Sequence, residues 1–269
     1  MVVIDEAILV DRTLWRDPLA TASRVVVPIL AWMLGYAALL LFVVRRQIVP
    51  RLPLQEKKRR DPVALAGVEN TTVSFINSIV QSCIVVSLWL AHLLGFSGLF
   101  CGYVELFVCS FLGYNLYDLI AGLVVADGAV FRREPGLLVH HVIVISSLAL
   151  SLVEPYAMYY QVIATLCEVN SIFLHGRFIV RQCDPSSSLY VAYERPLNVM
   201  QYATYLTWRL GSSLYLAPTG LTHGQLTGNQ FWGVLSVGLL TINIVYLYLL
   251  VKGDLKQRGW STYMRKVVE

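Results

Sequence analysis

The chain has 269 residues, of which 57% are hydrophobic and only 14% charged, with a formal net charge of +4. Soluble domains carry about a quarter charged residues, so this composition, with a mean hydropathy of +0.62, excludes an ordinary soluble domain and points to a polytopic membrane protein. The weak positive balance gives nucleic-acid binding no support.

Seven apolar stretches of roughly 17 to 25 residues, each enough for a helix to cross about 30 Å of hydrocarbon, are predicted at 25–44, 73–95, 103–126, 137–153, 157–180, 197–217 and 231–251. The first lies behind more than twenty residues carrying Arg12, Arg16 and Arg24 diluted by Asp5, Glu6, Asp11 and Asp17. It reads as an uncleaved anchor, not a signal peptide. Arg45, Arg46, Arg51, Lys57, Lys58, Arg59 and Arg60 follow it. The run Lys57 to Arg60 is a topogenic stop, or a grip on anionic headgroups worth about 1 kcal/mol per residue near the surface.

In the second span Ser74, Asn77, Ser78 and Gln81 fall on one face, just after the sequon Asn70-Thr71-Thr72, and in the third Ser110, Tyr114 and Asp118 do the same. The fourth is apolar from 136 to 153 except for its serines and the adjacent pair His140 and His141, with His140 on the face of Ser147 and Ser151. A charged group there costs about 2.5 kcal/mol or more even on lenient insertion scales, so a polar interior is expected around the pair. In the fifth span Gln161, Thr165, Glu168, Ser171 and His175 step by three and four residues, and in the sixth Asn198, Tyr202, Tyr205, Arg209 and Ser212 repeat the pattern. Polar groups in lipid face the bundle, so spans two to six are expected to share a polar core to which the first span adds nothing.

Charge in the connections sets the expected orientation. Arg132, Arg133, Arg181 and Arg195 lie in the alternate links with the Lys57 to Arg60 run, and Lys252, Lys256, Arg258, Arg265 and Lys266 lie in the tail. Basic residues stay cytoplasmic, which places the N-terminus outside or lumenal, the C-terminus in the cytoplasm and the sequon on the unglycosylated side. Five cysteines without a Cys-x-x-Cys pair give no disulfide framework.

Depth divides the intramembrane groups. Glu168 and Arg209, near the middles of their spans, are the expected buried ion pair, since either alone would be an uncompensated charge. Asn77, Asp118, His140, His141 and His175 lie nearer the basic loops and, with Ser171 and Tyr202, are expected to line a cavity open to the cytosolic leaflet. His140 and His141 stand about 100° apart on a helix, and both are candidates for catalysis or for architecture. Adjacent histidines lack the i, i+3 or i, i+4 spacing of a two-ligand metal helix, so no metal or cofactor is expected.

Leu138-Val139-His140-His141-Val142 resembles the paired-histidine segment of the TLC-domain family, which includes ceramide synthases and TRAM proteins. Arg60-Asp61-Pro62 followed by Val73 to Ser78, Gly113-Tyr114 through Asp118, Glu168 through Arg177, and Tyr205 to Leu210 with its central arginine resemble the family's other motifs in order. The texture is most similar to a calfacilitin-like branch. The resemblance implies an all-α polytopic bundle of about seven transmembrane helices: an N-terminal helix and linker over 1–59, a six-helix TLC domain over 60–256 and a tail over 257–269. It also implies a role in phospholipid composition and fluidity of the plasma membrane, with the endoplasmic reticulum as the other location and membrane lipids as partners. Two departures argue against a synthase. Asn77 stands where the family often has histidine, and the helix after the pair offers Glu168, Asn170 and His175 in place of the synthases' aspartates. The acyl-CoA-dependent acyltransferase, with His140 or His141 as base, is therefore the alternative to a lipid regulator.

Overall fold

The computed structural model describes the backbone of residues 21–95, 97–124, 128, 131–132, 135–227 and 230–257, and their side chains except 97–102, 155–159, 223–224, 226–227 and 256–257. Asp5, Glu6, Asp11, Arg12, Arg16, Asp17, Arg133, Arg258, Arg265 and Lys266, with the side chain of Lys256, lie outside this set. By contacts the chain forms two compact units, 1–212 and 213–269.

Among the described residues there is no strand, and six helices are long and apolar enough to cross a membrane: Ala22–Arg51, Pro62–Leu93, Tyr103–Val124, Pro135–Val153, Tyr160–Gln182 and Phe231–Leu255. The chain is a polytopic helical membrane protein. The expected sixth span, 197–217, is helical but not among the six. Its buried Asn198, Gln201, Thr204, Arg209, Ser212 and Ser213 lower its apolarity; polar residues at such a density belong to a helix that faces protein.

The elements of the first unit are α1 (Ala22–Arg51), a short α2 (Glu56–Arg60), α3 (Pro62–Leu93), α4 (Ser97–Val124), α5 (Pro135–Val153), α6 (Pro155–Thr165), α7 (Glu168–Gln182) and α8 (Ser188–Thr204), which runs into a π-helical segment, Tyr205–Leu210. Local chemistry sets the breaks. Asp61 caps α3 by accepting from the Val63 and Ala64 N–H groups at 3.0 and 3.2 Å, with Pro62 at the first helical position. Gly95, at φ 83°, closes the same helix in a conformation that only glycine adopts cheaply. Pro155 separates α5 from α6 at the expected boundary, and a turn at 166–167 divides the expected fifth span into α6 and α7. Ser187 caps α8 through the Tyr190 N–H at 3.2 Å. Just before it, the Ser186 N–H and hydroxyl both donate to the Asp184 carboxylate and hold its pKa below the usual carboxylate range.

Helix α3 is central, packing against α1, α4, α6 and α7, while α7 also packs against α8 and α4 against α5. The linker between α1 and α3 is fastened to the end of α7. Leu54 pairs with Cys183 as an isolated antiparallel bridge, the Asp184 N–H donates to the Pro53 carbonyl at 2.7 Å, and the Gln55 N–H donates to the Gln182 carbonyl at 3.0 Å. This clamp holds the basic α2 at the end of the bundle where α1 and α7 finish.

In the second unit α9 (Gly211–Thr227) and α10 (Phe231–Gln257) approach closely. A Cβ on Gly220 would meet Ser236, and one on Gly233 would come within 2.9 Å of Leu221. Asn243 donates to Ser213 at 2.7 Å, so this interface carries its own buried hydrogen bond.

Candidate functional site

Helices α3 and α4 run antiparallel, and their polar stripes meet in register: Gln81 donates to Ser110 at 3.2 Å, and Asn70 donates to Asp118 at 2.7 Å. Asp118 also faces α5. Its Oδ2 lies 2.9 Å from His141 Nε2, while His141 Nδ1 lies 2.9 Å from the Leu137 carbonyl. The carbonyl can only accept, so Nδ1 carries a proton, and a second proton lies between Nε2 and Oδ2 whichever atom holds it. Tyr117 adds a hydroxyl donated to Asn70 Oδ1 at 3.3 Å. Phe131 stands edge-on to the His141 ring, with centroids 5.9 Å apart. His141 is 3% exposed and both its nitrogens are engaged.

A second group lies along α3, α7 and the π segment. Ser78 donates to Glu168 Oε2 at 2.9 Å, and Arg209 donates to Ser171 Oγ at 2.8 Å. Each of the two expected partners is thus held by a serine, Glu168 by Ser78 and Arg209 by Ser171. The π segment adds a residue to its turn, the local distortion that often marks functional positions; here it carries buried Tyr205 and Arg209, with the guanidinium 5.7 Å from the Tyr205 ring centroid.

The first group is joined by the direct Asp118–His141 contact, and the second by Ser78 and Ser171. His140 lies edge-on to His141 with centroids 5.8 Å apart and is half-buried, as are His175 and Tyr202.

Asn77 belongs to another layer. Fully buried, it accepts from the Tyr36 hydroxyl at 2.7 Å and from Gln81 at 3.3 Å. Tyr36 therefore corrects the expectation that the first span adds nothing to the polar interior. It packs on Tyr114 and Tyr117 at 5.2 and 6.0 Å, and the backbone of α1 comes so near α4 that a Cβ on Gly113 would lie 2.6 Å from the Ile29 carbonyl. Asn70, not Asn77, reaches Asp118, because the antiparallel register pairs low numbers on α3 with high ones on α4. Its signal was present: 70, 74, 77 and 81 continue one helical stripe. Between α7 and α8, Asn170 donates to the Gln201 carbonyl at 2.9 Å and to Thr204 at 3.0 Å, and Arg177 donates to Gln201 Oε1 at 2.7 Å. Arg177 entered the sequence reading only as the end of the motif that starts at Glu168, and Gln201 was not singled out.

A separate apolar groove of about 490 Å³ opens among α1, α3 and α4, lined by Trp32, Cys83, Ile84, Ser87, Leu88, Ala91, Tyr103, Leu106, Phe107 and Ser110. None of the residues expected to line a lipid cavity borders it. The described surface also carries the ion pairs Arg24–Glu105 at 2.9 Å and Arg45–Glu69 at 2.6 Å, which tie α1 to α4 and α3.

Comparison with known proteins matches the sequence to a family. The TLC domain model covers residues 68–252. TLC domain-containing protein 2 of Danio rerio is 25% identical over 228 residues, spanning 81% of this chain and 88% of the relative. TLC domain-containing protein 1 of Rattus norvegicus is 27% identical over 230 residues, spanning 83% and 90%, and that of Homo sapiens 27% over 237, spanning 86% and 92%. No solved structure matches. The matched segment holds the Asp118–His141 pair, Glu168 and Arg209, and the chain belongs to the TLC-domain family.

Proposed function

We propose that the protein regulates the phospholipid composition and fluidity of the plasma membrane, as a member of the calfacilitin-like branch, by holding a lipid headgroup or acyl chain against the polar interior around His140, His141 and His175. The observation that carries this reading is the Asp118–His141 contact at 2.9 Å, with Asn70 on the other carboxylate oxygen. Three helices converge on a hydrogen-bonded group that hydrocarbon would not tolerate without a purpose. The basic residues Lys57, Lys58, Arg59 and Arg60, held at the same end by the Leu54 clamp, support an opening toward anionic headgroups of the cytosolic leaflet. That opening goes with an N-terminus outside and a C-terminus in the cytoplasm.

The test is lipidomics on cells lacking the protein and challenged with polyunsaturated fatty acid. Altered phospholipid acyl profiles and membrane order support the reading, and unchanged ones remove it.

One observation favours an acyl-CoA-dependent transferase as second reading: Asp118 supplies from α4 an aspartate to the histidine pair, where the following helix offers Glu168, Asn170 and His175 instead of aspartates. A general base, however, needs a nitrogen open to the proton it takes, and both nitrogens of His141 are engaged. His140, the other candidate of the pair, is then the residue to vary. Purified protein that transfers labelled acyl groups to sphingoid or lysophospholipid acceptors, with the His140→Ala variant inactive, would establish it.

A further inference from the structure

Buried amides on two sides of Glu168 carry polar atoms that no side chain or backbone group meets. On α3, Asn77 and Gln81 are both 0% exposed. Asn77 Oδ1 accepts from the Tyr36 hydroxyl at 2.7 Å and from Gln81 Nε2 at 3.3 Å, and Gln81 Nε2 also donates to Ser110 at 3.2 Å. The other atom of each amide, Asn77 Nδ2 and Gln81 Oε1, makes no hydrogen bond among the described residues. The network sets the orientation of the two amides. The Ser110 hydroxyl donates to the Phe107 carbonyl at 2.9 Å, so the end of Gln81 that meets it is the donor. Turning both amides over would still leave one donor and one acceptor unmade.

Between α7 and α8 the pattern recurs. Asn170 spends Nδ2 on the Gln201 carbonyl and on Thr204, and Gln201 spends Oε1 on Arg177. Asn170 Oδ1, Gln201 Nε2 and, one turn earlier on α8, Asn198 Oδ1 make no hydrogen bond among the described residues. Asn170 and Gln201 are 0% exposed and Asn198 5%. Both places adjoin Glu168: Ser78, the neighbour of Asn77, donates to it, and Asn170 follows it by two residues.

A buried donor or acceptor left unmade costs more than a made bond contributes, and hydrocarbon supplies no substitute. Each place therefore calls for a partner, and its chemistry narrows the choice. Each combines a donor with at least one acceptor, so an ion of either sign would suit only part of it. Each is also closed in by packed helices, which calls for something small. Water donates and accepts, and it holds in a buried site with about two to four polar partners.

We propose that the polar interior binds water at two places, one between Asn77 and Gln81 and one among Asn170, Asn198 and Gln201. This water gives Glu168 and Arg209 the polar surroundings that intramembrane charges require. It joins α1 to the interior as well, since Tyr36 shares Asn77 with it. The inference does not rest on a lipid entering beside the histidines.

The experiment is X-ray hydroxyl-radical footprinting of the full chain in phosphatidylcholine nanodiscs, read by mass spectrometry. The radicals form from water, so a buried side chain is oxidised only where water lies close. Tyr36, bonded to Asn77, and Tyr205, which follows Thr204, are 6% and 2% exposed and serve as reporters. Both are expected to be oxidised and, after mixing into heavy-oxygen water, to take up the heavy isotope later than the exposed Tyr193. Gln81→Met, of similar length and without a hydrogen-bonding amide, is expected to abolish oxidation of Tyr36 and spare Tyr205. Asn198→Leu is expected to do the reverse. A reporter left unoxidised in the wild type overturns its site, as does oxidation unchanged in the matching variant. Oxidation seen only after delipidation also overturns the proposal and assigns the places to a lipid hydroxyl. If Gln81→Met or Asn198→Leu does not fold, Asn77→Leu or Gln201→Leu takes its place, and the wild-type map decides on its own. His141→Ala keeps both tyrosines oxidised, so failure of the lipid reading and failure of this one are read separately.

Discussion

Replacing Asp118 with alanine removes the acceptor for two donors at once: His141 Nε2 at 2.9 Å and Asn70 Nδ2 at 2.7 Å. The His141 and Asp118 side chains are 4% and 17% exposed, so little solvent replaces what is lost. A donor left unmade in the interior costs about 1 to 3 kcal/mol, and breaking a buried charged pair about 3 to 5. Measured hydrogen bonds in membrane proteins average nearer 0.6 kcal/mol, because the membrane-embedded unfolded state also finds partners. These limits together give an expected loss of about 2 to 3 kcal/mol for Asp118→Ala. Asp118→Asn keeps an acceptor and an isosteric side chain and should cost about 1 kcal/mol. The assay is a double-mutant cycle with His141→Ala, read by steric trapping or denaturant unfolding in bicelles. The expected coupling is about 1 to 2 kcal/mol, beyond the ~0.5 kcal/mol within which independent sites add. Coupling below that limit would refute the pairing.

Tyr36→Phe leaves the ring packing on Tyr114 and Tyr117 intact and removes only the hydroxyl donated to Asn77, so a loss of about 1 kcal/mol is expected by thermal unfolding in detergent. Gly113→Leu forces a side chain into the Ile29 carbonyl and Trp32. It should displace α1 at a cost of about 1 to 3 kcal/mol, seen as faster exchange of amides over 22–51. The Cys183 thiol is buried, its pKa raised by that burial, and it donates to the Ile179 carbonyl at 3.5 Å. A water-soluble maleimide should leave it unmodified until Leu54→Pro opens the clamp, whereas modification of Cys183 in the unaltered chain would show that the clamp does not cover it.

The helices were legible because hydrocarbon imposes a length and polar residues impose a face. The 137–153 span begins two residues after α5 does and ends with it, and the break at Glu154-Pro155 lies where proline and an acidic residue placed it. What was less legible came from three causes. Span limits were drawn by apolarity, but α3 begins at Pro62, where Asp61 provides a cap, eleven residues before the expected span. The expected sixth span was drawn as an apolar stretch, yet its Asn198, Gln201 and Arg209 are buried, Gln201 and Arg209 in contacts with α7. Contacts between helices depend on register, which one helix cannot reveal. Thus Asp118 could be placed among candidates, but Asn70 as its partner required the antiparallel pairing of α3 and α4. Tyr36 was hidden for a simpler reason, since one tyrosine in an apolar run reads as an anchor until a buried asparagine stands 2.7 Å away.

The link between the interior and lipid is tested most directly by returning variants to cells that lack the protein, at matched membrane abundance, and measuring phospholipid acyl profiles after a polyunsaturated fatty-acid challenge. Wild type and the groove variant Ala91→Leu should both restore a histidine-cluster function, while Asp118→Asn and His141→Ala should leave the profile of the deficient cells. Full restoration by Asp118→Asn and His141→Ala would contradict a lipid role for the polar interior.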